Sequence, residues 1–161
     1  MIHAAGITRD KSMKRMSSQL WRDVLNVNLF SIQRIDQQLI EDKGYKGGAR
    51  IVGVSSTSGI AGNIGQGNYA TSKSGLMGYA EDMNGRHPEY TFNNVAPGFI
   101  QTDMTSNLPL VNEVVATRIL TPLKAAGRPE DVAGAIGWLG VGGMGIRGQT
   151  LRVCGGMMVG R

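Results

Sequence analysis

A tyrosine and a lysine stand four positions apart in the sequence, at Tyr69 and Lys73. If the stretch is helical, both side chains project from one face, one turn apart. A phenol has an ordinary pKa of about 10 and is therefore a poor proton donor near neutrality. A lysine ammonium held close to it stabilises the phenolate and lowers the phenol pKa toward the neutral range. The pair alone is weak support for catalysis, because surface helices carry the same spacing without any function.

Ser56 supplies a hydroxyl thirteen residues before Tyr69, at the end of a predicted strand. A compact loop of this length can bring the hydroxyl back to the phenol, where the two groups would hold and polarise a carbonyl oxygen. The competing interpretation is that the hydroxyl side chains of residues 55–58 satisfy backbone groups of their own loop. We expect this structural role for three of the four and the chemical role for Ser56.

Asn28 is a polar residue on the apolar face of the first predicted helix. A buried amide without hydrogen-bond partners costs on the order of 1–3 kcal/mol. Two interpretations stay open: a side chain bonded to the backbone at a helix kink, or a residue that holds a water in a proton relay to Lys73. The apolar members of this face recur at helical spacing and are Trp21, Leu25, Ile32, Ile35 and Leu39.

Hydrophobic patterning predicts the elements that position these side chains. Strands are predicted at residues 2–5, 49–54, 91–96 and 149–153, and helices from residue 17, over 68–84 and from 128 to about 140. Residues 55–67 are predicted as a loop, and Gly85 as the left-handed stop of the second helix.

Strands that alternate with helices predict an α/β fold with a parallel sheet and right-handed crossovers. In such sheets ligands bind beyond the carboxyl ends of the strands. Three short segments therefore share one rim, although they are far apart in sequence: Gly6, the pair Ser55 and Ser56, and the pair Pro97 and Gly98.

Composition narrows the class of protein. The chain has 161 residues, a net charge of +5 and one cysteine, Cys154. One cysteine forms neither an internal disulfide nor a metal cage, so we expect no metal site and a cytoplasmic location. No apolar run of about 18 residues predicts a membrane span, and the scattered basic residues without a recognition motif argue against nucleic acid as partner.

Four of these residues together resemble a known family. Asn28, Ser56, Tyr69 and Lys73 resemble the catalytic tetrad of the short-chain dehydrogenase/reductases. Residues 94–105 are similar to the segment that borders the nicotinamide in that family. Residues 5–10, 67–70 and 127–133 resemble its 3-oxoacyl-acyl-carrier-protein reductase branch.

The resemblance implies a doubly wound Rossmann fold, of which residues 1–161 are a single partial domain, the C-terminal part, with the first three strands absent. It implies reduction of a 3-oxoacyl thioester to the 3-hydroxyacyl thioester, with NADP or NAD as cofactor. The substrate would be carried by acyl carrier protein or coenzyme A. The chain would form a homo-oligomer or pair with a full-length reductase.

The resemblance also implies a role for each site residue. Tyr69 would protonate the carbonyl oxygen and Ser56 would hold it. Lys73 would lower the tyrosine pKa and bind the nicotinamide ribose, and Asn28 would keep a water that links Lys73 to solvent. The implied cofactor-binding residues are Ala5, Gly6, Tyr69, Lys73, Pro97, Gly98, Ile100 and Thr102.

The chain departs from the family pattern where the cofactor diphosphate would bind. The usual glycine-rich turn between first strand and first helix is missing, and the similar string at residues 140–145 follows a helix instead of opening one. His3 and Ala4 stand where the family has two asparagines. We therefore expect the isolated chain to bind dinucleotide weakly and to associate through an uncovered strand edge. The alternative function is a non-catalytic remnant that assembles with a complete reductase subunit.

Overall fold

The computed structural model describes residues 1–102, 119–142 and 145–157. Within these residues four strands form one sheet in the order β1-β2-β3-β4, and every neighbouring pair is parallel. The predicted α/β fold is confirmed, as a partial Rossmann-like sheet. The strands are β1 (Ile2–His3), β2 (Arg50–Val54), β3 (Thr91–Pro97) and β4 (Thr150–Val153).

Helices connect the strands, as parallel pairing requires. A π-helical segment, Asn26–Phe30, joins the first two helices, and a short 3₁₀ helix, Met13–Arg15, precedes them. The α-helices are α1 (Ser18–Leu25), α2 (Ser31–Glu41), α3 (Thr57–Ala61), α4 (Gly67–Arg86) and α5 (Pro129–Val141). No helix among the described residues is long and apolar enough to cross a membrane.

The core lies on both faces of the sheet, because successive strand side chains point to opposite sides. On one face Ile51 and Phe92 pack with Ala80 and Met83 of α4. On the other face Val52 and Val95 pack with Leu139 of α5. Burial on both faces explains why β2 is apolar from Ile51 to Val54 instead of alternating between polar and apolar residues.

The buried face of α1 and α2 differs from the predicted one. Val24, Asn28, Ile32 and Asp36 are buried at a spacing of four residues, whereas Ile35 is 44% exposed. The π-helical segment is the cause, because its i→i+5 bonds widen the turn and rotate the side chains that follow. The prediction of Ile35 as a core residue was wrong; Trp21, Leu25 and Leu39 are half-buried.

Two local predictions were also wrong. The predicted loop after β2 contains the short helix α3, which Ser56 caps. Gly85 does not end α4, which continues to Arg86 and leaves the helical conformation at His87 with φ −126°. Pro88 explains this, since a proline drives the preceding residue out of the helical region.

Part of the sequence interpretation falls outside the described residues. Residues 103–105 of the segment that resembles a nicotinamide border lie there, as do residues 143–144 of the glycine-rich string.

Candidate active site

The carboxyl ends of neighbouring strands lie side by side, and this brings together the segments predicted to share one rim. Val54 of β2 pairs with Val95 of β3, and the Ser55 N–H donates to the Val95 carbonyl at 2.8 Å. The Gly98 N–H donates to the Val153 carbonyl at 3.0 Å, so β3 and β4 end side by side. The residues that follow these strands therefore lie at one edge of the sheet.

Gly6 allows three parts of the site to meet. A Cβ at Gly6 would lie 3.3 Å from Lys73 Nζ and 3.4 Å from Asn28 Oδ1. The segment after β1 thus passes directly beside side chains from the π-helical segment and from α4. A larger residue at this position would displace one of them.

Lys73 is a buried cation on α4. Its side chain is 4% exposed, and Nζ donates to the Val54 carbonyl at 2.7 Å. Burial lowers the pKa of Lys73 from 10.5 to about 8, because the ammonium loses its hydration. Nζ also lies 5.6 Å from the centroid of the Tyr69 ring.

Ser56 reaches Tyr69 because α3 packs closely on α4. A Cβ at Gly59 would lie 2.8 Å from the Lys73 carbonyl carbon, so glycine is what permits this approach. Ser56 Oγ accepts from the Ser58 N–H at 3.1 Å, and its hydroxyl lies close enough to the Tyr69 phenol to lower the phenol pKa. Ser55 instead donates to the Lys73 carbonyl at 2.7 Å and has a structural role.

The pKa of Tyr69 departs from expectation. Burial raises it above 10.0, the hydrogen bond from Ser56 lowers it, and the Asp10 carboxylate raises it. Acidification of the phenol by Lys73 stays a prediction. The lysine donates to Val54 and lies beside the ring, and Ser56 is the group that lowers the phenol pKa.

Asn28 is fully buried and hydrogen-bonded within the protein. Its Oδ1 accepts from the Ile7 N–H at 2.8 Å, and its Nδ2 donates to the Ile7 carbonyl and to Ser72 Oγ, both at 3.0 Å. This is the bonding expected of a backbone-bonded asparagine at a helix irregularity. It fixes the segment that follows Gly6 against the helices.

The remaining predicted cofactor residues lie near the same rim with different exposure. Gly98 packs against Cys154, since a Cβ there would lie 2.8 Å from the cysteine Cβ. Ile100 is buried, and a Cβ at Gly127 would lie 2.6 Å from its Cδ1, so its side chain is a packing group. Ala5 and Thr102 are exposed, and Pro97 is half-buried.

Two polar residues of α4, Asn68 and Ser72, were not predicted, and both are fully buried. Asn68 bonds to the Tyr69 N–H, and Ser72 Oγ donates to the Tyr69 carbonyl at 2.7 Å. They continue the buried stripe that Leu76 and Ala80 form farther along the helix. Polar residues on an apolar stripe were the signal that identified Asn28, and the same signal would have found these two.

Comparison with known proteins agrees with this geometry. Residues 1–112 match the family model described as short chain dehydrogenase. The chain is 38% identical over 160 residues to a 3-oxoacyl-acyl-carrier-protein reductase of Vibrio cholerae. This alignment covers 98% of the present chain and 65% of the relative. The chain is 39% identical over 165 residues to the protein of that name from Thermotoga maritima (99% and 65% covered) and 34% identical over 164 residues to an acetoacetyl-CoA reductase of Allochromatium vinosum (99% and 65% covered).

The chain thus spans about two thirds of the length of these curated relatives, 65% in each case. The family model covers well over half of the chain and includes Asn28, Ser56, Tyr69 and Lys73. The protein belongs to the short-chain dehydrogenase family.

Proposed function

We propose that the protein reduces a 3-oxoacyl thioester to the 3-hydroxyacyl thioester, with NADP or NAD as cofactor and Tyr69 as proton donor. The observation that carries the proposal is the Tyr69 phenol, which lies beside the buried Lys73 ammonium at the strand ends and has its pKa lowered by the nearby Ser56 hydroxyl. The named relatives support the substrate class, since they are reductases of a 3-oxoacyl-acyl-carrier-protein and of acetoacetyl-CoA. The proposed substrate is therefore an acyl chain on carrier protein or coenzyme A.

Each side chain has a distinct part in the proton transfer. Tyr69 Oη gives its proton to the carbonyl oxygen of the substrate, and the Ser56 hydroxyl donates a hydrogen bond to the same oxygen. The phenolate left behind is stabilised by the positive charge of Lys73. A nicotinamide held at this site would supply the hydride that reduces the carbonyl carbon.

The described residues fit the nicotinamide-ribose part of the cofactor. Gly6 leaves space beside Lys73 that a Cβ would fill. Among the described residues Lys73 Nζ has a single hydrogen-bond acceptor, the Val54 carbonyl, so two of its N–H groups are available to ribose hydroxyls. Beside these two residues, the proposed binding set consists of Ala5, Tyr69, Pro97, Gly98, Ile100 and Thr102.

The fit does not extend to the diphosphate. In residues 1–102, 119–142 and 145–157 no strand leads through a glycine-rich turn into a helix. Such a turn is the usual cradle for a dinucleotide diphosphate. Weak dinucleotide binding by this chain alone therefore remains our expectation.

A second candidate function is assembly with a complete reductase subunit. The observation that favours it is β1, which pairs only with β2 among the described residues. Its other edge carries backbone groups that can pair with another chain, and Ile2 on it is 56% exposed. Co-expression of this chain with a complete short-chain reductase and purification through a tag on one of them tests the pairing.

A spectrophotometric assay with an acetoacetyl thioester and NADPH or NADH tests the proposed reductase activity. We expect Tyr69→Phe to reduce the rate by about 10²-fold or more, the magnitude of general acid catalysis. Tyr90→Phe is the matched control, because it removes a phenol hydroxyl from the core and should leave the rate unchanged. Equal rates in wild type and Tyr69→Phe would remove Tyr69 as the proton donor.

A further inference from the structure

Asn68 directly precedes Tyr69 and makes three hydrogen bonds to the backbone. Its Oδ1 accepts from the Tyr69 N–H at 2.7 Å. Its Nδ2 donates to the Arg9 carbonyl at 3.0 Å and to the Leu20 carbonyl at 3.1 Å. The side chain is fully buried. One amide thus connects α4 to α1 and to the segment that follows β1.

The orientation of the Asn68 amide is set by its partners. Two carbonyl oxygens require the NH₂ group on one side, and a backbone N–H requires the oxygen on the other. The Tyr69 N–H belongs to the first turn of α4, where N–H groups have no partner within the helix. The helix N-cap, Gln66, makes no side-chain capping bond, so Asn68 supplies an acceptor that the cap does not.

The Tyr69 carbonyl is held as well. It accepts from Ser72 Oγ at 2.7 Å, and Ser72 Oγ accepts from Asn28 Nδ2 at 3.0 Å. Both backbone polar groups of Tyr69 are therefore fixed by buried side chains. The phenol extends from this fixed backbone toward Ser56, which comes from a different helix.

We propose that Asn68 is a positioning residue: it fixes the Tyr69 backbone so that the phenol stays in hydrogen-bond contact with the Ser56 hydroxyl. The inference rests on the proposed reductase function for its catalytic meaning. The contact joins α3 to α4, so a small displacement of the start of α4 breaks it. Misplacement of a reacting group by about 1 Å can cost about 10²-fold in rate.

Asn93 provides a matched control for the structural contribution of a buried amide. It is 3% exposed, its Nδ2 donates to the Ile146 carbonyl at 2.8 Å, and its Oδ1 accepts from the Gln149 N–H at 2.9 Å. It therefore clamps two chain segments as Asn68 does. Asn93 lies on β3, both of its partners precede β4, and it has no bond to Tyr69.

The experiment compares Asn68→Ala, Asn93→Ala, Ser56→Ala and the double variant of Asn68 and Ser56 by two readouts. Tyrosine labelled with ¹³C at Cζ reports the phenol titration of each tyrosine by NMR, and Tyr69 is assigned by the signal missing in Tyr69→Phe. Steady-state kinetics with an acetoacetyl thioester give kcat and KM. Asn68→Ser repeats the test if the alanine variant fails to fold.

We expect Asn68→Ala to raise the Tyr69 pKa, as Ser56→Ala does, because the acidifying hydrogen bond is lost in both. The double variant should shift no further than Ser56→Ala alone, since both changes act through one contact. We expect kcat to fall about tenfold to 10²-fold with KM changed less than about threefold. Asn93→Ala should lower the melting temperature without moving the Tyr69 titration.

The proposal is overturned if the Tyr69 titration in Asn68→Ala equals that of the wild type, or if the shifts in the double variant add. If the proposed reductase function is wrong, the result is different: the wild-type protein itself has no reductase activity. The NMR titration still decides the role of Asn68 in that case, because it needs neither cofactor nor substrate.

Discussion

The Tyr69 phenol is subject to opposing influences from its surroundings. Burial and the Asp10 carboxylate raise its pKa, and the Ser56 hydroxyl lowers it. A proton donor must carry its proton, so a raised pKa keeps the phenol competent through the neutral range. Loss of the Tyr69 proton should therefore lower the reduction rate only above pH 10, beyond the titration of Lys73 near pH 8.

We expect Asp10→Asn to lower the Tyr69 pKa, because the variant removes a negative charge that disfavours the phenolate. Asp10 is exposed, so the effect should shrink at high salt concentration, where exposed charges are screened. The ¹³Cζ titration of Tyr69 measures the shift. Asp82→Asn makes the same charge change on α4, thirteen residues and about 20 Å beyond Tyr69, and should leave the Tyr69 titration unchanged. An unchanged titration in Asp10→Asn would contradict the assignment.

Lys73 illustrates a conflict between stability and chemistry at one residue. Its pKa in the folded protein is about 8 against an ordinary 10.5, so the folded state disfavours the ammonium. The free-energy cost of burying the ammonium is fully present below pH 8. It disappears as the pH rises toward 10.5, where the unfolded chain also loses the proton.

Lys73→Met should therefore increase the free energy of unfolding at pH 7, by about 1–3 kcal/mol, while it removes reductase activity. The gain should become smaller between pH 8 and pH 10. Urea unfolding at several pH values measures it, with the exposed Lys43→Met as control. A loss of stability at pH 7, or a gain that does not depend on pH, would show that burial of the charge is not the cause.

At the scale of the elements, Asp36 joins β1 to the two long helices. The carboxylate on α2 is fully buried and accepts from His3 Nε2 at 2.7 Å and from the Tyr79 hydroxyl of α4 at 3.0 Å. The Tyr45 hydroxyl donates to it as well. β1 is only two residues long and, within the part of the chain that the structure describes, pairs on one side, so this cluster is a main attachment of that strand.

Asp36→Ala should lower the free energy of unfolding by about 3–5 kcal/mol, because the buried His3 and the half-buried Tyr45 and Tyr79 lose their shared acceptor. Hydrogen exchange at the amides of β1 should accelerate more than exchange in β3. Asp42→Ala removes the same charge from an exposed position and serves as the control. Uniform acceleration across the sheet would mean that Asp36 does not attach β1 in particular.

The elements themselves were largely predictable, and the exceptions have physical causes. The strands and the long helices follow from apolar runs and helical periodicity, and the capping pattern at Pro129 and Asp131 marks the start of α5. The π-helical segment was not predictable, since it changes the period on which the prediction rests. The close approach of α3 to α4 at Gly59 depends on tertiary packing, which no local pattern encodes.

The candidate site was likewise predictable in part. Spacing and topology were sufficient to place Ser56, Tyr69 and Lys73 at one edge of the sheet. The direction of the tyrosine pKa was not, because it depends on burial and on Asp10, which is distant in sequence. The bonds of Asn68 and Asn28 to the segment after β1 likewise required coordinates.

At the scale of the whole molecule, the edge of the sheet at β1 affects how the chain associates with other chains. β1 pairs with β2 on one side among the described residues, and Met1 and Ile2 are 49% and 56% exposed. Native proteins protect such edges with charges, prolines or a covering element.

We expect the isolated chain to self-associate and Ile2→Lys to weaken the association, since a charge on an edge strand opposes pairing. Sedimentation velocity at several concentrations measures the mass distribution. Ile64→Lys is the control, because Ile64 is fully exposed in the loop between α3 and α4 and receives the same charge. Equal reduction of association by both variants would assign it to net charge instead of the β1 edge.

The most direct test of Tyr69 as the proton donor compares its titration with the pH dependence of catalysis. The alkaline limb of kcat/KM for thioester reduction and the ¹³Cζ titration of Tyr69 are measured in wild type and in Asp10→Asn. If Tyr69 gives the proton, the part of the alkaline limb that lies above the Lys73 titration, near pH 8, moves to lower pH in the variant together with the NMR midpoint, whereas the Lys73 step is the same in both proteins. A midpoint that moves in the NMR titration while the alkaline limb stays in place would show that another group delivers the proton.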